Sequence, residues 1–246
     1  MSNSSKKKQF GMNIGSASIL LVFVILCLVS FAVLSIVSAN ADSRLSTRVL
    51  ERTTARSTIT AMPDADADEK ACAYLQQARE ACDSVGGCME CLVEGLPVGI
   101  GDPVFEKLDA NLAKAIMSIG AVKAVEIGDG AEVSRHTGSE NNDPFRMENG
   151  KVTKISNHSG GILGGMSDGS PIIVRAYVKP TPSIFRPQQT VNRSGENTEL
   201  TIRGRHDPII VPRAVVVMEC MTAITVLDAM MMNMSAKLDS LVEFYR

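Results

Sequence analysis

Positive charge is scarce: 25 Lys and Arg stand against 27 Asp and Glu, for a formal net charge of -2. Lys6, Lys7 and Lys8 are the charged residues of the segment 1–41, so the rest of the chain is mildly acidic. Broad nucleic-acid binding needs a basic surface that displaces counterions, and this balance argues against it. A local basic pocket for a phosphorylated small molecule stays open. A zinc motif is missing as well. Cys88 and Cys91 make one Cys-x-x-Cys, and no second pair with matching spacing follows. The stretch GCMECLVEG alternates as a strand does, with Met89, Cys91 and Val93 on one face and Cys88, Glu90 and Glu94 on the other. The two thiols then diverge. Cys27, Cys72, Cys82, Cys88, Cys91 and Cys220 are expected to be free, as in reducing surroundings, and no metal is expected.

Between Phe10 and Ala41 charge is absent altogether. The run ILLVFVILCLVSFAVLSIV, residues 19–37, approaches the roughly 20 residues that cross a bilayer as a helix. Lys6, Lys7 and Lys8 favour an inside N-terminus, while Arg44, Arg48, Arg52 and Arg56 on the other flank oppose it. Ala39-Asn40-Ala41 has the small-x-small form of a signal cleavage site, but the apolar run exceeds the usual length of such a peptide. Three regions are therefore expected: a basic flank and single-pass membrane helix (1–41), a charged connector (42–61), and a folded body (62–246).

The body reads as α+β. Met62-Pro63-Asp64 and the carboxylates of Asp64, Asp66 and Asp68 mark a helix N-terminus, with Cys72, Leu75, Ala78 and Cys82 following at helical spacing. PVFEKLDANLAKAIMSI puts Leu108, Leu112, Ala115 and Ile119 on one helical stripe. PIIVRAYVKP alternates Ile172, Val174, Ala176 and Val178 against a face carrying two cations, Arg175 and Lys179. The tail RAVVVMECMTAITVLDAMMMNMSAKLDSLVEF predicts one long helix, with Met218, Met221, Ile224 and Leu227 in a core or oligomer contact.

Gly-rich and polar loops separate these elements. EGLPVGIGDP and EIGDG permit sharp backbone turns, and GSENNDPF gathers amides and carboxylates. SGGILGGMSDGSP holds Gly160-Gly161 and Gly164-Gly165, which would let an anion or flat ring approach backbone N–H groups; plain tight turns explain such pairs equally well. Neither a Walker loop nor a dinucleotide fingerprint is present. KPTPSIFRPQ offers Lys179, Thr181, Ser183 and Arg186 on a Pro-stiffened backbone, as a phosphate cradle would. GRHDPIIVPRA sets Arg205, His206, Asp207 and Arg213 around an apolar run.

In order, DSVGG, GLPVGIGDPVFEKLDANLAKAIMSIGAVKAVEIGDG, GSENNDPF, GGILGGMSDGSPI, KPTPSI and GRHDPIIVPRAV resemble the chorismate synthases, from about Met62 to Met231. The resemblance implies an enzyme that removes phosphate and a proton from 5-enolpyruvylshikimate 3-phosphate with reduced FMN, on the route to aromatic amino acids. It also implies a β-α-β sandwich of antiparallel sheets with helices, assembled as a tetramer. NADPH would enter only through an external reductase. The implied flavin contacts are Gly120, Ala121, Gly164, Lys179, Pro180, Thr181, Pro182, Ser183 and Arg205, with Asp207 handling the proton at the flavin ring beside His206. For Asp207 the other reading is an ion pair with Arg205 or Arg213. Arg213 and Arg175 serve either as substrate contacts or as structural cations, and a structural hydrogen bond suits His158. The segments of that family with a Ser-His-Gly histidine, a second catalytic histidine and several substrate-gripping arginines find no counterpart in residues 1–50. RTTAR, residues 52–56, faintly echoes an Arg-Ser-Ser-Ala-Arg flavin segment of the family. The expectation is thus a chorismate synthase of impaired activity; the alternative is a non-catalytic, membrane-anchored fragment or interaction protein.

Overall fold

The structure is a computed structural model that describes residues 60–204 and 206–245. The chain divides into two units, residues 1–47 and 48–246, and everything described falls in the second. The expected membrane run 19–37, the RTTAR echo and nearly all of the connector lie outside the described residues, as does Arg205.

Helix α1, Ala65–Glu80, starts where the acidic run predicts. The Asp64 carboxylate accepts from the Ala67 N–H at 2.7 Å, while Asp66 and Asp68 occupy the first turn. Its stripe of Cys72, Leu75 and Ala78 is only half-buried, and Cys82 is exposed beyond its end. Strand β1, Gly87–Val93, then runs into helix α2, Leu108–Met117, and strand β2, Val122–Ile127. A 3-10 turn, η1 (Gly130–Arg135), and a one-turn helix α3, Gly138–Asn141, follow. Three hairpins come next in the chain: β3 (Phe145–Glu148) with β4 (Lys151–Lys154), and β5 (Ile162–Leu163) with β6 (Met166–Ser167), and, beyond strand β7 (Ile172–Val178), β8 (Gln188–Val191) with β9 (Asn197–Leu200). Helices α4, Val211–Met234, and α5, Leu238–Phe244, close the chain.

Strand β7 is the axis of the fold. It pairs antiparallel with β1 on one side and β2 on the other, giving the order β1-β7-β2. Its alternation is the one read from the sequence: Ile172, Val174, Ala176 and Val178 are buried, Ile173 and Arg175 half-buried, and Tyr177 exposed. Against the buried face pack α2, through Leu108, Leu112 and Ile116, and α4, through Met218 and Val226. Removing each such side chain from water is worth about 1.5–3 kcal/mol. The outward face carries polar groups. Arg175 Nε pairs with Glu90 at 2.8 Å and its Nη1 donates to the Gly128 carbonyl at 2.8 Å, while Tyr177 donates to Glu126 at 2.6 Å. Arg175 thus bridges β7 to β1 and to the turn after β2.

Two features of α4 differ from the reading of the sequence. Its buried stripe is Met218, Thr222 and Val226, and Ile224 is half-exposed. The helix is apolar nearly all round, so periodicity does not choose its inner face. The tail also breaks after Met234, giving two helices instead of one. By length and composition α4 is the one helix among the described residues apolar enough to cross a membrane, although it docks on α2 and β1 here. The cysteines Cys72, Cys82, Cys88 and Cys220 are free, and Cys88 and Cys91 point to opposite faces of β1.

Candidate functional site

Three loops meet where β7 ends. The N–H of Lys179 donates to the Ala121 carbonyl at 3.0 Å, tying the segment before β2 to the KPTPS loop. Ala121 holds a left-handed φ of 71°, an uncommon conformation for a residue with a side chain. The Ser84 hydroxyl donates to the Thr181 carbonyl at 2.6 Å, and Arg186 pairs with Asp83 at 2.7 Å. The next residue, Val85, donates its N–H to the Pro208 carbonyl at 2.8 Å. The rings of Phe185 and His206 meet edge to face with centroids 4.5 Å apart. Gly86 leaves no room for a Cβ, because the Val178 carbonyl and the Pro180 ring fill the space. Lys179–Ser183 and His206-Asp207 thus sit on loops stitched together through Asp83-Ser84-Val85, and Gly120-Ala121 joins them through the bond to Lys179.

One buried side-chain oxygen of this assembly lacks a partner among the described residues. The Thr181 hydroxyl oxygen is buried and makes no hydrogen bond. A buried hydroxyl left so costs free energy of about 1–3 kcal/mol, which a bound group would recover. Lys179, two residues before it, is exposed, and Ser183, two residues on, is half-buried. Asp207 is paired: Arg213 holds it at 2.8 Å and 3.2 Å through both guanidinium nitrogens. The ion-pair reading of Asp207 is therefore present, with Arg213 as the partner, and Arg213 is committed to it. His206 lies 3.3 Å from the Ile202 carbonyl through Nε2.

Gly164 stands apart. With Gly165 it forms the two-residue turn of the β5–β6 hairpin at φ 62° and 92°, as a type I′ turn requires. The Gly165 carbonyl accepts from the Leu108 N–H at 2.9 Å, at the start of α2, while Gly120 and Ala121 follow the end of that helix. A helix of 10 residues rises about 15 Å, so these candidate contacts lie at opposite ends of it.

A second polar centre underlies the GSENNDPF and GGMSDGS loops, and it was not singled out as a network from the sequence. Lys154 Nζ pairs with Asp168 at 2.7 Å and Asp143 at 3.2 Å, and donates to Ser159 at 2.8 Å. All three charged side chains are buried. Burial opposes the charge on Asp143, but the Ser159 N–H, the Ser156 hydroxyl and the His158 N–H outweigh it and hold the carboxyl far below its ordinary range. Asp168 is likewise lowered despite burial, by Lys154 and the Ser170 N–H. His158 Nδ1 lies 2.5 Å from Asp129, the structural hydrogen bond expected of it. The signal for the network was weak because its members lie far apart in the chain.

A family model described as chorismate synthase matches residues 8–231. The chain belongs to the chorismate synthase family. That match runs through residues 19–37, so it does not support an unrelated leader ahead of Met62. The chorismate synthase of Agathobacter rectalis is 62% identical over 185 residues, covering 75% of this chain and 50% of the relative. The one from Methanosarcina acetivorans is 56% identical over 169 residues, 68% of this chain and 46% of the relative. A crystal structure of a chorismate synthase superimposes with a TM-score of 0.58 at 31% identity, over 71% of this chain and 46% of that one. The α+β chorismate synthase fold is thereby shown, and the chain spans about half the length of the curated relatives it matches.

Proposed function

We propose that this chain carries out the chorismate synthase reaction, eliminating phosphate and a proton from 5-enolpyruvylshikimate 3-phosphate, with reduced FMN held at the end of β7. The observation that carries the proposal is that the loops of Lys179–Ser183, Gly120-Ala121 and His206-Asp207 are joined to one another, directly or through Ser84-Val85, and that one of them holds the buried Thr181 hydroxyl without a partner among the described residues. Those residues fit a flavin: a polar, anionic and partly flat guest would satisfy Thr181 and face the Lys179 ammonium.

When bound, reduced FMN supplies electron density to the departing allylic phosphate and takes up the substrate proton. Lys179 attracts the anionic guest, and its ammonium favours charge that builds on a leaving phosphate. Asp207 receives or returns the proton, with Arg213 fixing the carboxylate and His206 packed on Phe185 alongside. Pro180 and Pro182 stiffen the loop, so that little order is lost on binding. Gly164 touches the same guest only across the length of α2 or from a second copy, which suits a homo-oligomer. Arg205, outside the described residues, is a further flavin contact by resemblance to the family alone, and NADPH enters only through a separate reductase. The lyase reaction needs no nucleic-acid partner.

The test is an anaerobic assay of the full chain with photoreduced FMN and 5-enolpyruvylshikimate 3-phosphate, following phosphate and chorismate together. Equal release of both above the protein-free rate is expected. Absence of both at saturating flavin would overturn the proposal. Fractionation of expressing cells decides the anchor at residues 19–37, since protein wholly in the soluble fraction rules it out.

A further inference from the structure

We propose that Asp129, His136 and His158 form a site for a borderline divalent transition metal such as Zn2+. One ligand atom from each residue lies within 4.8 Å of the other two. Two imidazoles and a carboxylate are the donor set such ions prefer, and three protein ligands leave a coordination position for water.

The three residues come from separate segments that the backbone locks together. Asp129 follows β2, His136 ends η1, and His158 precedes the Gly-rich hairpin. The Asp129 N–H donates to the His158 carbonyl at 3.0 Å, so the two are joined through backbone as well as side chain. Gly128 packs so tightly on the His158 carbonyl and the Gly160 N–H that a Cβ there would overlap both. Asp143 accepts the His158 N–H at 2.8 Å and the Ser159 N–H at 3.0 Å, fixing the loop from its other side. The rings of His136 and His158 stand edge to face, 5.7 Å between centroids.

The surroundings also supply an outer partner. His136 Nδ1 lies 3.4 Å from Asn141 Oδ1; in the tautomer that donates to this oxygen, Nε2 is left for a metal. His158 Nδ1 and Asp129 Oδ2 are 2.5 Å apart. Ligand atoms around tetrahedral Zn2+ sit about 3.3 Å from one another, given bonds of about 2.0–2.1 Å. Opening that pair by less than about 1 Å, with His136 drawn in from within 4.8 Å, therefore seats the ion in place of the shared proton. A metal here would pin the turn after β2 to the loop leading to Gly164. The inference does not rest on the flavin reading, since Lys179–Ser183, Gly120-Ala121 and His206-Asp207 lie on other loops.

The chain has 3 histidines, so imidazole resonances report the site directly. On adding Zn2+ to the full chain with its cysteines alkylated, the His136 and His158 ring signals are expected to shift with saturation at one equivalent, while His206 stays put. His136→Ala should weaken binding at least about tenfold, and His158→Ala likewise; Asn141→Ala should weaken it by a smaller factor. Rings that do not move, shifts confined to His206, or three rings moving alike would each overturn the site. So would unchanged Zn2+ affinity in the two His variants. Far-UV circular dichroism of His136→Ala guards against an unfolded control.

Discussion

Thr181 shows how a single side chain separates a packing role from a binding role. Its carbonyl is held by Ser84 and its hydroxyl is buried without a bond. Thr181→Val keeps the shape and deletes the orphan oxygen. The melting temperature is then expected to hold or rise, while reduced-FMN affinity falls by about two- to tenfold, the worth of one hydrogen bond. A melting point that drops with affinity unchanged would assign the hydroxyl to the fold. Lys179 and Thr181 were legible because a Pro-stiffened loop keeps its chemistry within five consecutive residues. The partner of Asp207 was legible only as one of two arginines, since ion pairing depends on how the loop turns. Asp129 and Lys154 were not singled out: their partners, His158 and Asp168, lie 29 and 14 residues away. Spacing of that kind is set by the fold, not by a motif.

Among the elements, the short loops around Lys154 carry the largest electrostatic stake. Lys154→Met leaves Asp143 and Asp168 buried without their cation, and breaking such a pair costs about 3–5 kcal/mol. Both carboxyls are depressed in the fold, so their stabilisation is complete above the ordinary carboxylate pKa and is lost as pH falls through the lowered values. Denaturant unfolding should therefore show a wide gap between wild type and Lys154→Met at neutral pH, narrowing below about pH 4. A gap constant across that range would mean the lysine acts by packing alone. For α2, Leu112→Ala should cost about 2–5 kcal/mol in the same experiment, since Leu112 is fully buried against the sheet. Strand β7 was readable from periodicity because it buries one face only; in α2 the periodicity gave Leu108 and Leu112, but the third buried residue is Ile116, with Ala115 half-buried and Ile119 beyond the helix end. The inner face of α4 was not readable, because a helix apolar all round offers no contrast.

At the scale of the whole molecule, α4 turns a second apolar surface outward: Val216, Ile224, Met231 and Met232 are each at least 50% exposed. Exposed patches of this kind mark association surfaces. Light scattering is expected to show self-association that Ile224→Glu reduces; a monomer at all concentrations would contradict a role for this face. The loops that build the site were recognisable because their order along the chain is that of the chorismate synthases. What no sequence pattern gave was their division in space: Gly164 at one end of α2, Gly120 and Ala121 at the far end, tied to Lys179. The most direct measurement of the central claim is an anaerobic titration of the full chain with reduced FMN, read by flavin fluorescence. Saturable binding at one flavin per chain, weakened in Thr181→Val and Lys179→Ala, is the expected result. No binding at flavin concentrations that saturate the Agathobacter rectalis relative would contradict it.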